Sequence, residues 1–242
     1  DPSAPPTALA NILDVGSGSN YSCALRDDGL VMCWGSNQYG NLGNGSLVGS
    51  NRALEVSGST RFARLEVGDA NACGLTVTGA AYCWGDNGSG QLGIGSVGGN
   101  STVPISVGGG LQFTQLSIGL RSICGVATDG VSYCWGANNN GQLGIGALGG
   151  SISSPQPVVS SGALGFVEVT AGYQHSCALT AAGEAYCWGL GGSTFGNGVS
   201  SPASYVPTAA ANGMTFASID MGFGYVCARD LSSAGWCWGE QP

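Results

Sequence analysis

The run Cys124-Gly125-Val126-Ala127-Thr128-Asp129-Gly130-Val131-Ser132-Tyr133-Cys134-Trp135-Gly136-Ala137-Asn138-Asn139-Asn140-Gly141-Gln142-Leu143-Gly144 decides how this chain folds. If Thr128-Asp129-Gly130 is a three-residue hairpin loop, its third position takes the left-handed residue of a type I turn with a bulge. Glycine suits that position. Ala127 then faces Val131, Val126 faces Ser132 and Gly125 faces Tyr133, so Cys124 falls directly opposite Cys134. Directly opposed Cα atoms in a non-hydrogen-bonded antiparallel pair lie about 4.5 Å apart, within reach of a disulfide.

The same pattern recurs along the chain. First cysteines stand at Cys23, Cys73, Cys124, Cys177 and Cys227, and each is followed ten residues later by Cys33, Cys83, Cys134, Cys187 or Cys237. Trp-Gly follows every second cysteine, as Trp34-Gly35, Trp84-Gly85, Trp135-Gly136, Trp188-Gly189 and Trp238-Gly239. Gly29, Gly79 and Gly183 close loops like that of Gly130. The fifth loop reads Leu231-Ser232-Ser233, with serine where glycine is expected, which leaves Cys227–Cys237 open to a shifted register. Within residues 102–150, strands are expected near Ile105–Val107, Phe113–Ile118, Ile123–Ala127 and Val131–Trp135. Four strands in about fifty residues is the arithmetic of a propeller blade, whereas the coils of an all-β solenoid are usually shorter. The expectation is an all-β chain, a single β-propeller domain over 1–242. It would hold about five four-stranded blades, one hairpin disulfide in each, with repeats near 1–50, 51–101, 102–154, 155–204 and 205–242.

Composition narrows the classes. The chain has 242 residues, 45 glycines, 8% charged residues and a formal charge of −8. Its six basic residues are all arginine. Such a chain is repelled by DNA and by anionic lipid, so neither nucleic acid binding nor membrane insertion is expected, and no apolar run is long enough to span a bilayer. The start, Asp1-Pro2-Ser3-Ala4-Pro5-Pro6, reads as a mature N-terminus or a linker stub. Metal binding is the rival reading of ten cysteines. Zinc sites favour short Cys-x-x-Cys spacings and histidine partners, and the chain has no such spacing and one histidine, so no metal and no cofactor is expected. Five disulfides persist in an oxidising compartment, which points to an extracellular, cell-surface or periplasmic protein.

The strings Trp84-Gly85-Asp86-Asn87 through Gly90-Gln91-Leu92-Gly93 and Trp135-Gly136-Ala137-Asn138 through Gly141-Gln142-Leu143-Gly144 resemble the regulator-of-chromosome-condensation (RCC1) repeat family. So does Ala171-Gly172 through His175, Cys177-Ala178-Leu179, Gly183, Tyr186 and Trp188-Gly189. Repeat four departs from the pattern at Gly189-Leu190-Gly191-Gly192-Ser193-Thr194-Phe195-Gly196. The resemblance implies a propeller, usually of seven blades. Five repeats are present, and the echo of Pro6-Thr7-Ala8 in Pro207-Thr208-Ala209 puts the chain ends in phase, which favours a closed five-bladed ring. The family's nuclear exchange activity does not suit an acidic, oxidised chain. A secreted bacterial member acts purely by binding protein.

Candidate functional residues are few. His175 occupies a position where the family often places a structural histidine. The aromatic pairs ending in the five Trp-Gly tryptophans read as packing between sheets, with Trp236 the best surface aromatic. Two residues before a recurring glycine stand Asp14, Glu66, Ser117, Thr170 and Asp220, which would ring the channel if their strand is innermost. Asp14, Glu66 and Asp220 could there hold a cation or do acid–base work. The Gly/Ser-rich segments 46–52, 96–103, 147–154 and 198–206 offer few anchors, among them Leu47, Arg52 and Tyr205. The leading expectation is a non-enzymatic extracellular protein-binding or structural module, with a protein partner on a loop face or neighbouring subunits of an assembly. A glycan-binding lectin is the alternative, followed by a glycosidase using the channel carboxylates.

Overall fold

The computed structural model describes residues 9–191, 195–196 and 203–239. Every sheet is antiparallel and is wound from consecutive strands. Blade 1 holds β1 (Ile12–Ser17), β2 (Tyr21–Arg26), β3 (Val31–Gly35) and β4 (Ser50–Glu55). Blade 2 holds β5 (Arg64–Val67), β6 (Asn71–Leu75), β7 (Ala81–Gly85) and β8 (Ser101–Ser106). Blade 3 follows with β9 (Phe113–Ile118), β10 (Ser122–Ala127), β11 (Ser132–Ala137) and β12 (Ser151–Pro157), and blade 4 with β13 (Phe166–Ala171), β14 (His175–Thr180), β15 (Ala185–Gly189) and β16 (Ser204–Ala209). Blade 5 has three strands among the described residues, β17 (Phe216–Met221), β18 (Tyr225–Asp230) and β19 (Gly235–Gly239). The segment near Ile105–Val107 supplies the outer strand of the sheet before it, pairing Ile105 with Cys83.

The hairpin register derived above is the one observed. Each first cysteine pairs with its second, from Cys23↔Cys33 to Cys227↔Cys237, with Cα atoms 4.0–4.1 Å apart and no cysteine left free. Gly29, Gly79, Gly130 and Gly183 take φ of 81–83° at the loop corner. In blade 5 the register holds because Ser233 adopts φ 72° itself. The carboxylate of Asp230 organises that loop, accepting hydrogen bonds from the backbone N–H and hydroxyl of Ser232, the N–H of Ala234 and the indole of Trp236.

Blades stack by one repeated joint. The disulfide face of a blade meets the tryptophan face of the next, as where Cys23, Cys33, Leu25 and Val31 bury Trp84, Phe62 and Leu65. The Trp-Gly-x-Asn string explains the connection. Asn87 receives the N–H of Leu92 on its side-chain oxygen and donates to the carbonyls of Ser96 and Gly98, which folds the loop and drives Leu92 into the joint. In repeat four Phe195 takes the place of that leucine and is equally buried.

Four such joints unite five blades, and among the described residues no core cluster joins blade 5 to blade 1. The expected ring closure is therefore corrected: the blades form an open arc. Val15 is 67% exposed, whereas its counterparts Leu65, Leu116, Val169 and Ile219 are buried. At the other end Tyr225 is 52% exposed against 4% for Tyr21. In-phase ends guarantee that each blade starts on the same strand. The rotation between blades is set by how the two faces pack, and the phase of the sequence carries no information about it.

Candidate functional site

The first strands of the blades lie against one another and line the channel. Their alternation turns every second side chain inward. Opposite the first cysteine of each blade stand Gly16, Glu66, Ser117, Thr170 and Asp220. One step along the same face stand Asp14, Arg64, Gln115, Glu168 and Ser218, each opposite the residue two after that cysteine. This corrects the expected ring at one member. The glycine in phase with Gly68, Gly119, Gly172 and Gly222 is Gly18, whose N–H donates to Tyr21 as theirs do to Asn71, Ser122, His175 and Tyr225. Asp14 thus belongs to the second tier, and glycine occupies blade 1's place in the first. Gln115 and Glu168 escaped the sequence reading, although their two-residue offset from Ser117 and Thr170 was the available signal.

Much of this polar lining is structural. Gln115 clamps the backbone of Val169 in the next blade, donating to its carbonyl at 2.8 Å and accepting from its N–H at 2.9 Å. Ser117 accepts from the N–H of Ala171, and Glu168 from that of Ile219. Glu66, Glu168 and Asp220 border a cavity of about 540 Å³ that also reaches Arg229 and the exposed Trp236 of blade 5. Burial, then the charges of Asp14 and Asp220, push the Glu66 carboxyl up to about 7, with Arg64 opposing. The site can therefore hold a proton near neutrality. No group of three His, Cys, Asp or Glu side chains is arranged to hold a metal among the described residues.

The remaining candidates separate from the channel. Tyr205 lies on the outer strand β16 and packs over Gly141 of blade 3, where a Cβ would come within 2.3 Å of its ring. His175 is 2% exposed, and its Nε2 has no partner among the described residues. Burial lowers its pKa to about 4. Trp84, Trp135 and Trp188 are fully buried in the joints. Residues 198–202 of the fourth Gly/Ser-rich segment lie outside the described residues.

At one end of the channel the strands converge so closely that a Cβ on Gly119 would sit 2.2 Å from the Gly172 carbonyl oxygen, which is why glycine recurs there. The residue after each of these glycines forms a rim: Ser19, Asp69, Leu120, Tyr173 and Phe223. Tyr173 and Phe223 stack with ring centroids 4.2 Å apart and planes at 16°. The sequence reading missed this rim. Its signal was the variability of one position beside an invariant glycine.

Repeated antiparallel blades around a channel, locked by one hairpin disulfide each, define a β-propeller arc. Family models described as the regulator of chromosome condensation (RCC1) repeat match residues 12–41, 62–91, 113–142 and 166–196, and also 78–124 and 129–179. The chain belongs to that family. It is 28% identical over 185 residues to the Arabidopsis thaliana ultraviolet-B receptor UVR8, covering 74% of this chain and 42% of that protein. It is 40% identical over 76 residues to the Homo sapiens probable E3 ubiquitin-protein ligase HERC3, covering 31% of this chain and 7% of that protein. The chain thus spans less than half of either relative. Among solved structures, human WBSCR16 superposes with a TM-score of 0.83 at 22% identity, over 94% of this chain and 61% of that one. Yeast RCC1 (Prp20) bound to Kap60 gives 0.82 at 20% identity, over 94% and 56%.

Proposed function

We propose that this chain is a non-enzymatic, extracellular protein-binding module, acting alone or as a subunit of a larger surface assembly. The observation that carries this reading is the channel rim. Five turns repeat one backbone hydrogen bond after their glycines yet present five different side chains, Ser19, Asp69, Leu120, Tyr173 and Phe223. A rigid frame with variable positions at one mouth is how repeat scaffolds build recognition surfaces. The joints use the invariant residues, so the variable ones are free to serve a partner. Yeast RCC1 with Kap60 is a case of this fold carrying a protein partner, which supports the reading at the level of the scaffold.

The cross-strand disulfides, which a reducing cytosol would open, support an extracellular compartment. No helix of the described residues is long and apolar enough to cross a membrane. Thiol alkylation with and without reductant tests the compartment on protein from its native source. Ten free thiols without reductant would refute it. Affinity capture with the intact chain as bait tests the function, the expected result being a saturable protein partner.

A glycan ligand is the second reading, favoured by the exposed Phe223 ring stacked on Tyr173, since aromatic faces stack on sugars. A glycan array separates the two. Hydrolysis by channel carboxylates is tested by assaying glycosides with Glu66→Gln and Asp220→Asn, which a glycosidase would not survive.

A further inference from the structure

The rim encloses a depression of about 480 Å³ at the channel mouth. Its chemistry is divided. Ile118, Leu120, Met221 and the stacked Tyr173–Phe223 pair make one side apolar, and among the described residues Asp69 is the single charged one lining it. Resting on the protein-binding reading above, we propose that this mouth receives a basic side chain, lysine or arginine, projecting from a partner protein.

The apolar side suits the aliphatic stem of such a residue, whose charged head keeps its polar contacts. Phe223 is 69% exposed and held in place by its stack on Tyr173, so its free face offers a cation the negative potential of an aromatic ring. Asp69 supplies the counter-charge, and the Ser19 hydroxyl donates to its carboxylate and orients it. Deeper along the axis stand Glu66 and Asp220, and none of the chain's six arginines lines the mouth. With a formal charge of −8 and no lysine, the chain draws cations toward this opening and repels acidic segments. Ser19 and Asp69 are already bonded to each other, which leaves a sugar fewer hydrogen-bonding partners at this mouth.

The test is a titration of the intact, disulfide-bonded chain with blocked Gly-Lys-Gly, Gly-Arg-Gly and Gly-Glu-Gly peptides, followed by backbone amide NMR. Saturable shifts at Gly119, Gly172 and Gly222 are expected with the lysine or arginine peptide and not with the glutamate one. Asp69→Asn and the pair Tyr173→Ala/Phe223→Ala should each weaken binding by about fivefold, the scale of an exposed cation–π or ion-pair contact. Phe223 is exposed while Asp69 and Tyr173 are half-buried, and the amide spectrum reports directly that each variant keeps the fold. Equal response to the glutamate peptide, no saturable shift, or unchanged affinity in both variants overturns the proposal. A captured partner retained equally by both variants would overturn it while leaving the protein-binding function standing. Failure to capture any protein, together with specific glycan binding, would overturn that function instead.

Discussion

The indole N–H of Trp135 donates to the backbone carbonyl of Gln91 in the preceding blade at 2.9 Å, inside a joint where Trp135 is fully buried. Trp84 and Trp188 make the same bond to Asn41 and Gln142. The tryptophan is thus both the filler of the joint and the pin of the connecting loop. Trp135→Phe leaves a buried carbonyl without its donor and a partial void, and should cost about 2–3 kcal/mol in chemical unfolding. Trp34→Phe, at the open end of the arc where the indole is half-buried, should cost under about 1 kcal/mol. Equal losses would contradict the assigned joint.

Ser233 holds the left-handed corner that glycine holds in the other four hairpins. An L-residue there is strained, and the four hydrogen bonds to Asp230 compensate. Ser233→Gly should stabilise blade 5 by about 1 kcal/mol, while Asp230→Ala should destabilise the same hairpin. Local hydrogen exchange at Ala234 and Trp236 reads both.

Glu66 binds its proton more tightly in the folded chain, at about 7, than its ordinary value of 4.5. A folded-state pKa raised in this way contributes stability that is complete below about pH 4.5 and lost as pH rises through 7. The loss should be about 2 kcal/mol, discounted for partial access to the channel. In a His175→Asn background, which removes the opposite titration of the buried imidazole, adding Glu66→Gln should abolish the fall in melting temperature between pH 4.5 and pH 8 that the Glu66-containing chain shows. A melting temperature equally flat with Glu66 present in that background would refute the channel electrostatics.

His175 shifts in the opposite sense, from 6.5 down to about 4, because burial disfavours its cation. Its contribution is present above pH 6.5 and lost as pH falls through 4, on the order of 3 kcal/mol. His175→Asn, which copies Asn71 at the matching place in blade 2, should flatten the acid side of the stability profile. Unchanged acid sensitivity in that variant would show that other groups carry the acid transition.

The hairpins were legible in residue order because they are local. Cys124 and Cys134 are ten residues apart, and a glycine corner with strict alternation leaves one register in which they oppose. Blade 5 shows how far this holds, since its register survived even where the corner glycine was missing. The channel was half legible. Alternation put Glu66 and Asp220 on one face correctly, but counting from Gly16 instead of Gly18 misplaced Asp14 by one step. Gly16 in β1 and Gly18 just beyond it look alike, but Gly18 stands five residues before its cysteine as Gly68, Gly119, Gly172 and Gly222 do, and the pairing of Gly16 with Cys23 fixes the offset.

Residue order alone determined the hairpin of each blade, its sulfur clamp and its tryptophan, all set by contacts close in the chain. Tertiary packing decided the rest. Whether the arc closes depends on the rotation at each joint, and the rim depends on which side chains five distant turns bring within reach of each other. Tyr173 and Phe223 stand fifty residues apart in the chain, and they touch only because every joint between blades is built alike.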